Sequence, residues 1–124
     1  MKKFTILIPI YNDWKSLEKL LKNINDNIKD IQNSKFNCVI INDSSTTDNP
    51  EIIVPSNITS IKLIHMNKNR GHARCNAFGI KYLSKNQNLD YVILMDGDGE
   101  DRPEEIKLFV NKVLAEPNTA VVAK

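Results

Sequence analysis

The apolar positions of this chain follow two alternating rhythms. Phe4 to Ile10 is a near-continuous apolar run, which predicts a strand covered on both faces. Leu17, Leu20, Leu21, Ile24, Ile28 and Ile31 then recur at helical spacing, and Asp13 stands where the N-cap of that helix belongs. Phe36 to Ile41 predicts a second strand running into the polar cluster Asn42 to Asp48, with a short turn or helix expected around Pro50 to Val54. Ile61 to Met66 predicts a third strand, Asn67 to Gly71 a loop, and Ala73, Ala77, Ile80 and Leu83 the apolar side of a second helix. Tyr91 to Met95 predicts a fourth strand. Pro103 suits the first turn of a third helix, whose apolar face holds Ile106, Phe109, Val110, Val113 and Leu114. Thr119 to Ala123 reads as a fifth strand.

Strand–helix alternation of this kind is the α/β class: an open, mostly parallel sheet with flanking helices joined by right-handed crossovers. No internal repeat, linker or low-complexity tract divides the sequence, so residues 1–124 are expected to form one domain. Ligands of such sheets bind outside the carboxyl ends of the strands, so the chemistry is sought there.

Composition narrows the classes without naming one. Of the 124 residues, 41% are hydrophobic and 26% charged, a soluble globular profile. Lys plus Arg is 17 against 15 Asp plus Glu, and a net charge of +2 gives no whole-protein case for nucleic acid. The apolar runs are too short for a transmembrane helix. Met1-Lys2-Lys3 before an apolar run has the look of a signal peptide, but Pro9 interrupts the run and no small-residue cleavage site follows. Cys38 and Cys75 lack zinc-type spacing and are expected to be reduced core thiols of a cytoplasmic protein.

The segments after the strands are all polar. Tyr11, Asn12 and Asp13 follow the first, Asp43 with its hydroxyl cluster the second, Lys68, Arg70, His72 and Arg74 the third, and Asp96, Asp98, Glu100 and Asp101 the fourth. Carboxylates packed so closely repel one another unless a cation or solvent separates them. Asp96, Asp98 and Glu100, spaced by glycines, present hard oxygens of the kind that bind Mg²⁺ or Mn²⁺ together with substrate phosphates. The competing reading is a surface turn in which Asp101 caps the helix and Glu104 and Glu105 favour its dipole. That turn leaves Asp96, directly at the end of an apolar strand, unexplained. The segment Asn69 to Arg74 suits a phosphate met by a helix N-terminus and guanidinium groups, although Arg74 serves equally as a solvated surface residue and His72 as a helix-start residue. Asp43 reads either as an Asx-turn or as an acceptor for a ribose or base. His65, Trp14 and Tyr82 read as structural. No dinucleotide fingerprint and no Walker lysine motif occur.

Four short motifs occur in order: Ile8-Pro9-Ile10-Tyr11-Asn12, Ile41-Asn42-Asp43-Ser44-Ser45, Asn69-Arg70-Gly71 with Ala73-Arg74, and Met95-Asp96-Gly97-Asp98-Gly99-Glu100. Together they resemble the N-terminal, nucleotide-sugar-binding half of family 2 glycosyltransferases, which have the Rossmann-like GT-A fold. Asp96 to Glu104 is most similar to the dolichyl- or polyprenyl-phosphate mannosyltransferase branch. The resemblance implies an enzyme that moves a sugar from a nucleotide-diphosphate donor to a polyprenyl phosphate or a glycan. It implies that Pro9, Tyr11 and Asp43 line the base pocket, that Arg70 contacts base or diphosphate, and that Asp96 lies near the ribose and the metal. Asp98 would bind the Mg²⁺ or Mn²⁺, with Glu100, where that branch usually has Gln, as a further ligand. In that family the catalytic base follows the fifth strand. The expectation is therefore a donor half whose sheet stops after about the fifth strand, with the acceptor side and any peripheral membrane contact beyond Lys124. A binding-only domain without transfer activity is the alternative, and a receiver-type signalling domain a more distant one.

Overall fold

The computed structural model describes residues 2–85, 89–96 and 105–115. Within them the elements run β1 (Lys2–Ile10), α1 (Trp14–Ile28), β2 (Ser34–Asn42), β3 (Ile61–His65), α2 (His72–Ser84), β4 (Tyr91–Leu94) and α3 (Ile106–Ala115). The expected fifth strand at 119–123 lies outside the described residues.

Among the described residues four strands form one parallel sheet in the order β3-β2-β1-β4. The chain steps outward from β1 to β2 to β3, then crosses back to the far side of β1. With right-handed crossovers this reversal puts α1 and α2 on opposite faces of the sheet, and the packing agrees. Phe4, Ile6, Ile8 and Ile10 of β1 pack with α1 and α3, whereas Leu7 joins Val39, Ile41, Cys75 and Leu83 beneath α2. Side chains on both sheet faces are buried, which is why β1 reads as an unbroken apolar run. The order is that of a Rossmann-like half-sheet, as expected, and differs from the 2-1-3-4-5 order that a receiver domain would require.

Pro9 sits in a central strand without breaking its ladder. Leu7 O accepts from Met95 N at 3.0 Å, so Leu7, and Pro9 two residues on, turn their backbone groups toward β4. The β4 pairing ends at Leu7↔Leu94, so the N–H that proline lacks falls where no ladder bond is made.

Helix α1 follows its predicted stripe. Asp13 caps it through Ser16 N, and Trp14, Leu17, Leu20, Leu21, Ile24 and Ile28 are buried. Ile31 lies past the helix end and packs half-buried against the same core. Three expectations are corrected. Residues 50–54 form neither turn nor helix; the turn comes at Ser56-Asn57, and Ile52 and Ile58 pin this connection against the α1 core. In α2 the buried line is Cys75, Gly79 and Leu83, while Ala73, Ala77 and Ile80 are exposed. The absent side chain of Gly79 lets the helix settle on Leu7, and that contact sets which side faces the sheet. In α3, Ile106, Val110 and Val113 are buried, but Leu114 is exposed.

Candidate functional site

Two side chains make most of the ties between the loops at the carboxyl ends of the strands. The first is Asp43, which is 1% exposed. Its backbone N–H continues the β1–β2 ladder by donating to Ile10 O at 2.8 Å. Its carboxylate reaches across to the β3–α2 loop, accepting from Arg70 N at 2.7 Å and Gly71 N at 2.9 Å. Gly71 caps α2 with φ of 85°, a conformation other residues rarely adopt, and this turns the two amides onto one carboxylate. Asp43 is free to reach that far because the local turn is made by its neighbour. Asn42 Oδ1 accepts from Ser45 N at 3.0 Å, while its Nδ2 donates to His65 Nδ1 at 2.9 Å.

The second tie is Asn12, itself in a left-handed conformation. Its Oδ1 accepts from Thr46 N at 2.8 Å and Thr47 N at 3.0 Å, and its own N–H donates to Ser45 Oγ at 2.8 Å. Trp14 adds a bond from Nε1 to Thr47 Oγ1 at 3.1 Å. The loop after β2 is thus clamped to the loop after β1, a role for Asn12 that the sequence pattern does not reveal. Its position directly after Pro9-Ile10-Tyr11 was the available signal; in an asparagine-rich chain that residue type alone says little.

Around these ties stand the other expected site residues. Pro9 is buried in β1, Tyr11 is exposed beside it, and the Arg70 and Arg74 side chains face solvent. Asp96, half-buried at the end of β4, has Oδ1 3.9 Å from Nδ1 of His72, the first residue of α2. A carboxylate from one side of the strand-order reversal thereby meets the head of the helix from the other. Asp98 and Glu100 lie outside the described residues. Among the described residues no three His, Cys, Asp or Glu side chains converge as a metal site.

Both thiols are buried and unpaired, as expected. Burial pushes Cys38 up to about 12; Cys75 also reaches about 12, through burial first and then through its hydrogen bond and proximity to the Asp43 carboxylate. The unfolded chain releases these protons near the ordinary thiol value of 9.0 while the folded chain keeps them. Stability should therefore be unaffected below that pH and fall above it, by up to about 1.4 kcal/mol per pH unit for each thiol. Urea melts between pH 8 and 10 read this, with the slope reduced in Cys38→Ala and Cys75→Ala. An unchanged midpoint across that range would contradict it.

The chain matches the family model Glycosyl transferase family 2 over residues 5–124. It is similar to an uncharacterized protein of Methanocaldococcus jannaschii, 26% identical over 110 residues, which are 86% of this chain and 45% of that protein. It is also similar to undecaprenyl-phosphate 4-deoxy-4-formamido-L-arabinose transferases. That of Pseudomonas savastanoi pv. phaseolicola is 30% identical over 125 aligned positions, 98% of this chain and 35% of that protein. That of Salmonella choleraesuis is 29% identical over 118, covering 90% and 34%. The chain spans less than half the length of these relatives.

Proposed function

Since the chain belongs to glycosyl transferase family 2, we propose that it is the donor-binding portion of an enzyme that transfers a sugar from a nucleoside diphosphate to a polyprenyl phosphate. The observation that carries this reading is the Asp43 anchor. It holds the Arg70-bearing loop and the head of α2 against the β1–β2 edge, facing Asp96 across the strand-order reversal where open α/β sheets take their ligands. In this reading Pro9 and Tyr11 form the wall for the base, and Arg70 with the α2 N-terminus receives the diphosphate. The polyprenyl-phosphate acceptor is favoured over a glycan by the names of two relatives that act on undecaprenyl phosphate. The two unpaired, buried thiols suit a cytoplasmic setting.

The half-buried carboxylate of Asp96 is the hard oxygen donor that Mg²⁺ or Mn²⁺ takes, which fits a divalent cation at this edge. Asp98 and Glu100 would complete its ligands. Such a cation stabilises the negative charge that develops on a departing diphosphate. The residues of this chain hold the donor and orient its diphosphate.

Calorimetry on the chain with UDP and GDP, with and without Mn²⁺, tests the reading. Binding is expected to require the metal, and Asp98→Ala should abolish metal-dependent binding, a loss beyond the roughly 10–100-fold that follows when only a residue supporting a metal ligand is removed. Equal affinity with and without metal would overturn it.

A further inference from the structure

From Ile52 to Leu89 the sequence contains no Asp or Glu, while Lys62, Lys68, Arg70, Arg74, Lys81 and Lys85 supply six cations. The rest of the chain holds 17 − 6 = 11 cations against all 15 acids, so a protein of net +2 is divided into a +6 segment and a −4 remainder. That segment includes β3, the following loop and α2, and all six cations are exposed.

On α2 the side formed by Cys75, Gly79 and Leu83 faces the sheet. Tyr82 turns toward β3, where the Lys62 ammonium donates to its hydroxyl and lies 4.9 Å from its ring centre. Phe78, one turn before Tyr82, shares that flank and is 40% exposed, with Arg74 four residues before it and Lys81 three after. From His72 to Lys85 the helix axis extends about 20 Å. Arg70 and the head of α2 belong to the proposed donor site, but Lys81 and Lys85, at the other end of α2, stand away from it, and Lys62 lies beside Val39 in the middle of β2. The helix dipole accounts for Lys81 and Lys85 near the α2 C-terminus. It accounts for neither Lys62 on the strand nor the exposed Phe78 between the cations.

We propose that this flank of α2 and β3 is a docking surface for an anionic lipid bilayer. A row of exposed cations gains from an extended negative surface, and an aromatic ring set among them enters the headgroup boundary. In a two-fold symmetric pair a second copy of the chain would bring the same positive charge against it. A convex helix side gives single-stranded nucleic acid no channel to track. The proposal is independent of donor binding, because it needs neither nucleotide nor metal.

Co-sedimentation with vesicles of phosphatidylcholine, alone or with about a third phosphatidylglycerol, tests it. The chain is expected to bind the anionic vesicles at low salt, to leave the neutral ones in solution, and to be released as salt is raised. Lys81→Glu with Lys85→Glu should weaken binding at least about tenfold, and the neutral pair Lys81→Gln with Lys85→Gln should weaken it less. Phe78→Ser should weaken it several-fold, and Lys19→Glu with Lys22→Glu on α1 should leave it within about twofold. Circular dichroism confirms that each variant is folded. No binding to anionic vesicles, equal losses from the α1 and α2 pairs, or tighter binding to a single-stranded oligonucleotide or an acidic protein would each overturn the proposal. Metal-dependent nucleotide binding measured on the same samples keeps its failure separate from that of the donor reading.

Discussion

Asp43→Ala should destabilise the protein by about 3 kcal/mol, lowering the melting temperature by roughly 10 °C, and should abolish nucleoside diphosphate binding. The size follows from what the carboxylate does. It is buried and accepts from two backbone amides, those of Arg70 and Gly71, and the Cys75 thiol lies against it. Hydrogen bonds to an ionised group are the strong ones, and removing the acceptor leaves donors that its side chain had satisfied. The loop so released carries Arg70 and ends at the cap of α2, so the proposed diphosphate site loses its shape in the same step. Asp43→Asn keeps one oxygen acceptor but turns an amide group toward the second backbone N–H, so about 2 kcal/mol of loss is expected. Urea denaturation measures both. A loss under about 1 kcal/mol for Asp43→Ala would show that the carboxylate does not organise the loop.

Why Asp43 was legible only in part is a matter of sequence distance. Its place at a strand end follows from the apolar run before it, and the two roles read for it were a local Asx-turn and a contact with ligand. The local turn is made by Asn42 instead, and the Asp43 carboxylate bonds to residues 27 and 28 positions later. A pairing that distant depends on β3 lying beside β2, which no local pattern encodes. Asn12 is a similar case, its partners lying at Ser45 to Thr47. The elements themselves were legible because burial acts locally: the stripe of α1 and the two-sided apolar run of β1 both follow directly from which faces are covered. In α2 the apolar stripe holds only at Leu83, since Ala73, Ala77 and Ile80 repeat at helical spacing while a cysteine and a glycine make the rest of the contact.

That contact also sets the second large effect. Leu7 is fully buried in the middle of β1 beneath α2, and Leu7→Ala should cost about 3–4 kcal/mol through lost burial and the cavity left behind. Gly79→Ala is the informative partner. A Cβ there would lie 2.5 Å from Leu7 Cδ1 and 2.7 Å from Cδ2, so one methyl must displace a packed leucine or lift the helix. Alanine gains about 1 kcal/mol over glycine inside a helix, and overpacking costs about 1–3 kcal/mol, so Gly79→Ala should be net destabilising in the native background. With Leu7 truncated the obstruction is gone, and the same methyl partly fills the space. There Gly79→Ala should stabilise by about 1 kcal/mol. A change of sign between the two backgrounds, with a coupling energy of at least about 1 kcal/mol in the double-mutant cycle, is the expected result. Additive effects would mean that α2 does not rest on Leu7, and the choice of its buried side would then need another cause.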